Sequence, residues 1–252
     1  MPNERLRSRI TAAGLTLDDL AMQVGVDPKT VERWITTDRV PHRRHRQATS
    51  TLLESDEDYL WPSIADESRV RSAGDTEFVE FFPHRGAVPQ YLWTTLLRDV
   101  QDGFDMLVYA GLFLMDANPD LPRVIAERAN DGARVRLLFG DPSSEAVRQR
   151  GHEEGIGEGL PARIRISLSY LRELRHEPGV EIRFHQTILY NSIYRFDDEL
   201  LANVHMYGSP APHNPVLHLR RTPGGRVFDH YLNSFDRVWA GAAPVEEQQV
   251  GA

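Results

Sequence analysis

The sequence predicts an α+β chain of two domains: an all-α head of five short helices, and an α/β body with a mixed sheet flanked by helices. Three observations predict it. Residues 1–62 repeat apolar residues at three- and four-residue spacings between helix stop signals. Residues 63–76, SIADESRVRSAGDT, are polar, lack aromatics and show no period, which reads as a linker. From FVEFF at 78–82 onward, strand-like and helix-like stretches alternate as far as residue 240, the extent of the second domain.

At 252 residues the chain is long enough for two modest cores that need no covalent staples. It has no cysteine, which excludes disulfides, thiolate metal sites and a cysteine nucleophile. No apolar run approaches the roughly 20 residues of a membrane span, and no apolar segment follows the arginines of MPNERLRSRI as a secretory signal would. A soluble, cytoplasmic protein without a membrane partner is expected. The net charge of -8 is unevenly placed: residues 1–50 hold nine Lys or Arg against six Asp or Glu, giving +3 and leaving -11 on the remainder. A basic head on an acidic body suits a nucleic-acid partner for the head. Lys29 is the single lysine, which reflects an arginine-biased composition.

In the head, residues 4–13 form a first helix with Leu6, Ile10 and Ala13 inward and Gly14 as its stop. GLTLDDLAMQVGVDPKTVERW, residues 14–34, then predicts a helix-turn-helix. Thr16 caps a helix whose stripe is Leu17, Leu20, Ala21 and Val24, and Gly25 ends it in a left-handed turn. Asp27 and Pro28 suit the cap and first position of the next helix. That helix turns Val31 and Trp34 inward and leaves Lys29, Thr30 and Arg33 outward, the positions that meet base edges in such a motif. The loop TTDRVPHRRHR leads Arg39, His42, Arg43, Arg44, His45 and Arg46 into a helix packed through Ala48, Leu52 and Leu53. A basic run at a helix start suits phosphate contact, because backbone donors there add to the side-chain charge; a solvated face is the alternative. Residues 56–60 make a fifth helix closed by Trp61 and Pro62.

Residues 4–61, through that 21-residue stretch and the trailing DEDYLWP, resemble the Cro/C1-type (XRE-like) repressors. The resemblance implies a repressor-type helix-turn-helix head in which Thr16 touches phosphate while Lys29, Thr30 and Arg33 lie in the major groove of double-stranded operator DNA. Ile35 departs from the family, where an acidic residue is common, and the loop after it is unusually rich in Arg and His. One such head reads a half-site, so a homodimer is expected.

In the body, residues 78–82 predict a strand ending at Pro83, His84 and Arg85, and 91–100 a helix with Leu92, Leu96, Leu97 and Val100 on one face. Residues 106–110 are continuously apolar, as in a buried strand. After a helix at 121–129, residues 134–139 form a strand in which Val135, Leu137 and Phe139 alternate with Arg134, Arg136 and Leu138; it ends at Gly140 and Asp141. Two strand-helix-strand crossovers argue for a parallel core. Residues 143–159 give a helix and the turn GIGEG, which lacks the Lys and Ser/Thr of a phosphate loop. A helix at 163–175 precedes four strands, EIRFHQ, NSIYRF, LLANVHMYG and VLHLRR, with residues 196–199 as the turn between the second and third. Phe228, Leu232, Phe235, Val238 and Trp239 mark a last amphipathic helix, and 241–252 reads as a disordered tail.

His185, His205 and His218 lie on three of these strands, with His84 and Asp141 at the ends of two others. Ligands of an open parallel sheet bind at the carboxyl ends of its strands, which places Arg85, Gly111 and Asp141 at a pocket. His205 and His218 hydrogen-bonded within the sheet are the alternative. No metal-ligand spacing stands out, so neither metal nor cofactor is expected.

The order of elements, with FHQTILYNSIYRFDDELLANVHMYG, resembles one half of the phospholipase D-like fold. That family carries a nucleophilic His on the active strand, a Lys two residues on and an Asp five beyond it; the matching positions here are His185, Thr187 and Ser192. A neutral hydroxyl does not replace an ammonium against developing anionic charge. The resemblance therefore implies a non-enzymatic phospholipase D-like half domain behind a DNA-binding head, as in actinobacterial transcriptional regulators. It would dimerise, sense a small-molecule effector through His84, Arg85, Asp141, His185, Thr187 and His205, or both. The competing expectation is a DNA-targeted phosphodiesterase or nuclease acting through His185.

Overall fold

The structure, a computed structural model, describes residues 2–64 and 76–245. The chain divides into two compact units, residues 1–72 and 73–252. The first contains α1 (Glu4–Ala12), α2 (Leu17–Val24), α3 (Pro28–Thr36), α4 (Arg43–Leu52) and α5 (Glu57–Leu60). Its core gathers Leu6, Ile10, Leu20, Ala21, Val24, Val31 and Trp34, as the helical spacing requires, together with Ile35, Leu53, Leu60 and Trp61.

Several head residues differ from expectation. Ala13 and Leu17 are exposed: Ala13 is already the C-cap of α1, and Leu17 stands at the first position of α2, before the stripe turns inward. Because α4 starts at Arg43, its buried face passes through Thr49, and Ala48 is exposed. Ile35 is buried, and its carbonyl accepts the Asn3 N–H at 2.6 Å. Asn3 also caps α1 by accepting from the Leu6 N–H and donates to the Leu60 carbonyl at 2.8 Å, tying the start of the head to its end. Gly25 takes φ +74, a conformation that costs a residue with a Cβ more than it costs glycine.

Of the expected linker, 65–75 lies outside the described residues, whereas 63–64 and 76 are helical instead of irregular.

The second unit is built on β1 (Phe78–Phe82), β2 (Gly103–Leu107), β3 (Arg134–Gly140), β4 (Val180–His185), β5 (Asn191–Phe196), β6 (Glu199–Val204), β7 (Val216–Arg220) and β8 (Ala243–Pro244). They form one mixed sheet in the order β1-β7-β6-β5-β2-β3-β4-β8. β2, β3 and β4 pair in parallel, and the other neighbours pair antiparallel. Its helices are α6 (Gln90–Arg98), α7 (Leu112–Ala117), α8 (Leu121–Asn130), α9 (Glu145–Glu153), α10 (Gly159–Tyr170) and α11 (Val227–Ala240). The crossovers are β2 to β3 through α7 and α8, and β3 to β4 through α9 and α10. β1 belongs to neither. It lies at the far edge beside β7, with Phe78, Val79 and Phe81 exposed, as an edge position allows.

Three more expectations change. β2 starts at Gly103 and stops at Leu107, because Asp105 is inside the sheet and the apolar run 108–110 is the buried exit from it. The stretch 163–175 is divided between α10 and a 3-10 turn, Arg172–His176. The tail is ordered at its start: β8 pairs with β4, and the Val245 N–H donates to the Ile182 carbonyl at 3.2 Å. The rest of the expected disordered tail, 246–252, lies outside the described residues.

The expected alternation on β3 fails at Arg136, which is buried. Its Nε and Nη2 grip the wholly buried Asp105 carboxylate at 2.6 and 2.8 Å, Arg195 Nη1 reaches the same carboxylate at 2.8 Å, and Arg136 Nη1 reaches Asp236 on α11 at 2.8 Å. Asp105→Ala would remove the buried carboxylate that both guanidinium groups share, leaving Arg136 only Asp236 and Arg195 only the Asp197 carbonyl. A loss of about 3–5 kcal/mol is expected, read as a lower urea midpoint at unchanged slope. A loss under about 1 kcal/mol would show that the network does not carry the fold.

Candidate functional site

In the head, the first functional candidates follow from α2 and α3. Thr16 accepts the Asp19 N–H at 3.1 Å and donates to the Asp19 carboxylate, which in turn accepts the Thr16 N–H. These bonds hold the Asp19 carboxyl below its ordinary pKa. The Thr16 hydroxyl is thus already engaged in capping. On α3, Asp27 accepts the Lys29 N–H at 2.9 Å, and Val31, Trp34 and Ile35 are buried. Lys29 and Arg33 point to solvent, with Thr30 half-buried between them. Thr30, Arg33, Arg39, His42 and His45 line a groove of about 280 Å³ floored by Trp34.

Arg43 and Arg44 open α4 and are exposed; among the described residues neither has an ion pair, and His42 caps the helix without a side-chain bond. Cations at a helix start are repelled by its dipole, so this arrangement favours an external anion over the isolated helix. Arg46 is different. Its Nε donates to Glu57 at 2.9 Å and its Nη1 to the Pro41 carbonyl at 3.2 Å, which makes it a strut between α4 and α5 and removes it from the expected phosphate contacts.

In the second unit a cavity of about 90 Å³ opens where strands end. Arg85 follows β1, Tyr109 and Gly111 follow β2, Ser192 and Tyr194 stand on β5, and His205 follows β6; Glu154 and Arg163 come from the helical side. Gly111 has φ +65, and a Cβ there would press to 3.0 Å on Val108. The Arg85 guanidinium lies 3.9 Å from the centre of the Phe113 ring and makes no hydrogen bond or ion pair among the described residues. Burial lowers its pKa; Tyr194 and Glu154 oppose that shift and Arg163 adds to it. Tyr194, packed edge to face on Trp93 and Phe113, is pushed up to about 12 by burial and keeps its proton.

His205 stacks on Tyr109, with ring centres 5.7 Å apart. Its Nε2 meets Ser192 Oγ at 3.0 Å and its Nδ1 meets the Leu189 carbonyl at 3.2 Å. Burial first, then the Arg150 charge, pushes its pKa down to about 4. In the neutral ring the nitrogen facing a carbonyl carries the proton, so Nδ1 donates to Leu189 and Nε2 accepts from Ser192. Arg150 itself pairs with Glu154 at 2.7 Å and donates to the Met206 and Ser209 carbonyls, fixing the loop beyond His205.

The other expected ligand residues are not brought to this cavity. His185 is buried behind Tyr109; its Nε2 donates to the Val108 carbonyl at 3.0 Å, and its Nδ1 accepts the Thr187 N–H at 3.3 Å. Burial lowers its pKa, which fits a neutral ring with both nitrogens engaged. The Thr187 side chain is exposed. Asp141 closes a turn, accepting from Ser143 and from Gln186. Burial works against its charge, but these donors hold it below the ordinary carboxylate range. His84 is exposed outside the cavity, and His218 pairs with Glu199 at 2.7 Å within the sheet. Arg85, Gly111 and His205 are therefore together, and His84, Asp141, His185 and Thr187 are elsewhere.

Sequence reasoning missed Tyr109, Tyr194, Glu154 and Arg163. The two tyrosines look like ordinary strand residues, and the helical pair is distant in sequence. Ser192 was legible only as a missing aspartate.

The sign of the His205 effect is fixed by its lowered pKa. The unfolded chain takes up this proton near pH 6.5 and the folded protein only near 4. Its contribution to stability is present above about pH 6.5 and lost as pH falls through about 4. Imidazole chemical shifts should show His205 unprotonated at pH 5, and His205→Asn should flatten the fall of the urea midpoint between pH 6.5 and 4. An imidazole titrating near 6.5 would contradict this geometry.

Residues 76–246 match the family described as "Domain of unknown function (DUF5919)". No curated protein matches the chain. Among solved structures, TrmBL2, an archaeal chromatin protein with a novel mode of DNA binding, is 14% identical with a TM-score of 0.44, over 87% of this chain and 72% of that one. Nuc, a phospholipase D family member from Salmonella typhimurium, is 11% identical with a TM-score of 0.40, over 63% and 91%. Phosphatidylserine synthase from Haemophilus influenzae Rd KW20 is 13% identical with a TM-score of 0.38, over 68% and 40%. Among the described residues no helix is long and apolar enough to cross a membrane, and no three His, Cys, Asp or Glu side chains cluster as metal ligands.

Proposed function

The chain belongs to the family described as Domain of unknown function (DUF5919), and from that premise we propose that it is a sequence-specific DNA-binding transcriptional regulator with a non-catalytic body. One observation carries the reading: α3 buries Val31, Trp34 and Ile35 and turns Lys29 and Arg33 outward with half-buried Thr30 between them, and the exposed cations continue through Arg39 to Arg43 and Arg44. A helix of this kind fits a major groove about 12 Å wide, and flanking arginines fit its phosphates. This is the Cro/C1-type docking mode, acting on operator DNA in the cytoplasm. A homodimer would present two heads to two half-sites.

The body acts as a phospholipase D-like half that binds without cutting, and it dimerises, senses a small effector, or both. Support comes from His185. Attack on phosphorus needs an imidazole lone pair open to substrate, whereas the Nδ1 lone pair accepts from Thr187 and the Nε2 proton is held by Val108. Thr187 provides no ammonium, and the Ser192 hydroxyl is engaged by His205. The nuclease alternative gains no observation of its own.

Fluorescence anisotropy on operator and random duplexes tests the head. Lys29→Ala and Arg33→Ala should each remove about 1–3 kcal/mol of discrimination, and retained sequence preference would mean that another element reads the bases. Replacing Arg43 and Arg44 together with alanine should make the slope of log K against log salt shallower by about 1.8, at about 0.9 per phosphate contact. An unchanged slope would remove them from the interface. Turnover of a generic phosphodiester that disappears in His185→Ala would overturn the non-catalytic body.

A further inference from the structure

We propose that the cavity beside Arg85 binds a small organic oxyanion, its carboxylate or phosphate held by the Arg85 and Arg163 guanidinium groups and its apolar part resting on Phe113 and Leu160. This gives chemistry to the effector of the regulator reading, and rests on that reading only for the consequence of binding.

Arg85 is the starting point. A guanidinium has five N–H donors in a fixed fork, and Arg85 is half-buried, with its nitrogens still open to an incoming acceptor. Here the face of the group is covered by Phe113, and no carboxylate or carbonyl accepts from it among the described residues. The exposed Arg163 lines the same cavity, and among the described residues its guanidinium has no hydrogen-bond or ion-pair partner. The acid nearby, Glu154, is held by Arg150 at 2.7 Å. The cavity thus presents two cations and no uncommitted anion. Planar bidentate donation suits a carboxylate or phosphate. Leu112, Phe113, Leu160, Ala211 and Pro212 supply an apolar wall that suits an organic body better than a bare ion, and the volume of about 90 Å³ limits that body to a small one.

Isothermal calorimetry on the full chain, with propionate, methyl phosphate and inorganic phosphate as probes and 1-propanol as the neutral control, tests the site. At least one organic anion should bind and 1-propanol should not. Comparison of methyl phosphate with propionate tells which head group is preferred, and binding of inorganic phosphate alone would refute the organic part. Arg85→Gln should weaken binding at least tenfold. Arg163→Gln, at an exposed helix position, should weaken it as well and serves if the Arg85 variant does not fold. No binding by any probe, or equal binding by both variants and the parent chain, overturns the proposal. Operator affinity is measured on the same samples. Loss of DNA binding with anion binding intact sinks the regulator reading alone, and DNA binding without anion binding sinks the oxyanion site alone.

Discussion

The body depends on one buried carboxylate. Asp105 sits on β2, the strand where the sheet changes character: β2 runs parallel to β3 on one side and antiparallel to β5 on the other. Arg136 comes from β3 and Arg195 from β5, so the two guanidinium groups reach Asp105 from both halves of the sheet. Asp236 then brings α11 onto Arg136. With two carboxylates and two guanidinium groups the cluster is balanced, which is the condition under which buried charge is tolerated. Its geometry also sets register. Asp105 lies opposite Arg136 on one neighbour and Arg195 on the other, and a slip by one residue would send each arginine to the opposite face.

That register positions the cavity. With Met106 opposite Tyr194 and Leu107 opposite Ile193, the chain leaving β2 brings Tyr109 and Gly111 to the wall that β5 supplies with Ser192 and Tyr194. The electrostatics there contrast with the Asp105 cluster. Arg136 and Arg195 have carboxylates, whereas Arg85 has an aromatic face. The titratable neighbours are held in neutral forms, His205 below and Tyr194 above the physiological range. Neutral, hydrogen-bonded side chains around a half-buried cation that no protein acceptor holds suit the recognition of an anion.

Legibility in the sequence followed the range of the interactions. The head was readable because its signals are local: Thr16, Gly25, Asp27 and Pro28 act on their own turns, and the structure shows each in the conformation its chemistry favours. Arg46 shows the limit. Once α4 starts at Arg43, residues 46, 49 and 53 follow one another at spacings of three and four, so Arg46 shares a face with buried Thr49 and Leu53. A helix start one turn later, after Arg46, makes the strut look like an exposed contact. In the body, strands were found through their apolar content and misplaced where charge entered them, as at Asp105. The edge position of β1 could not be read from neighbouring residues, since it depends on pairing with β7 more than 130 residues later. The cavity was only partly legible for the same reason: Arg85, Tyr109, Arg163, Tyr194 and His205 meet only once the strand order is known.

His185 shows how a strand can keep a reactive residue type for a structural purpose. On the sequence it is the one intact position of a His, Thr, Ser series resembling a phosphodiesterase motif. In the fold its ring bridges two backbone segments, taking the Thr187 N–H on one nitrogen and giving the other nitrogen's proton to Val108. These are the exits of β4 and β2, which border β3 from opposite sides, and the Asp141 N–H at the exit of β3 donates to the His185 carbonyl at 2.8 Å. Three parallel strands therefore end on one residue. A nonpolar substitute would remove both ring bonds, although the Val108 carbonyl would keep the Gly140 N–H at 3.1 Å and Thr187 lies at the exposed edge. Both ring nitrogens and the backbone carbonyl of His185 thus serve the sheet.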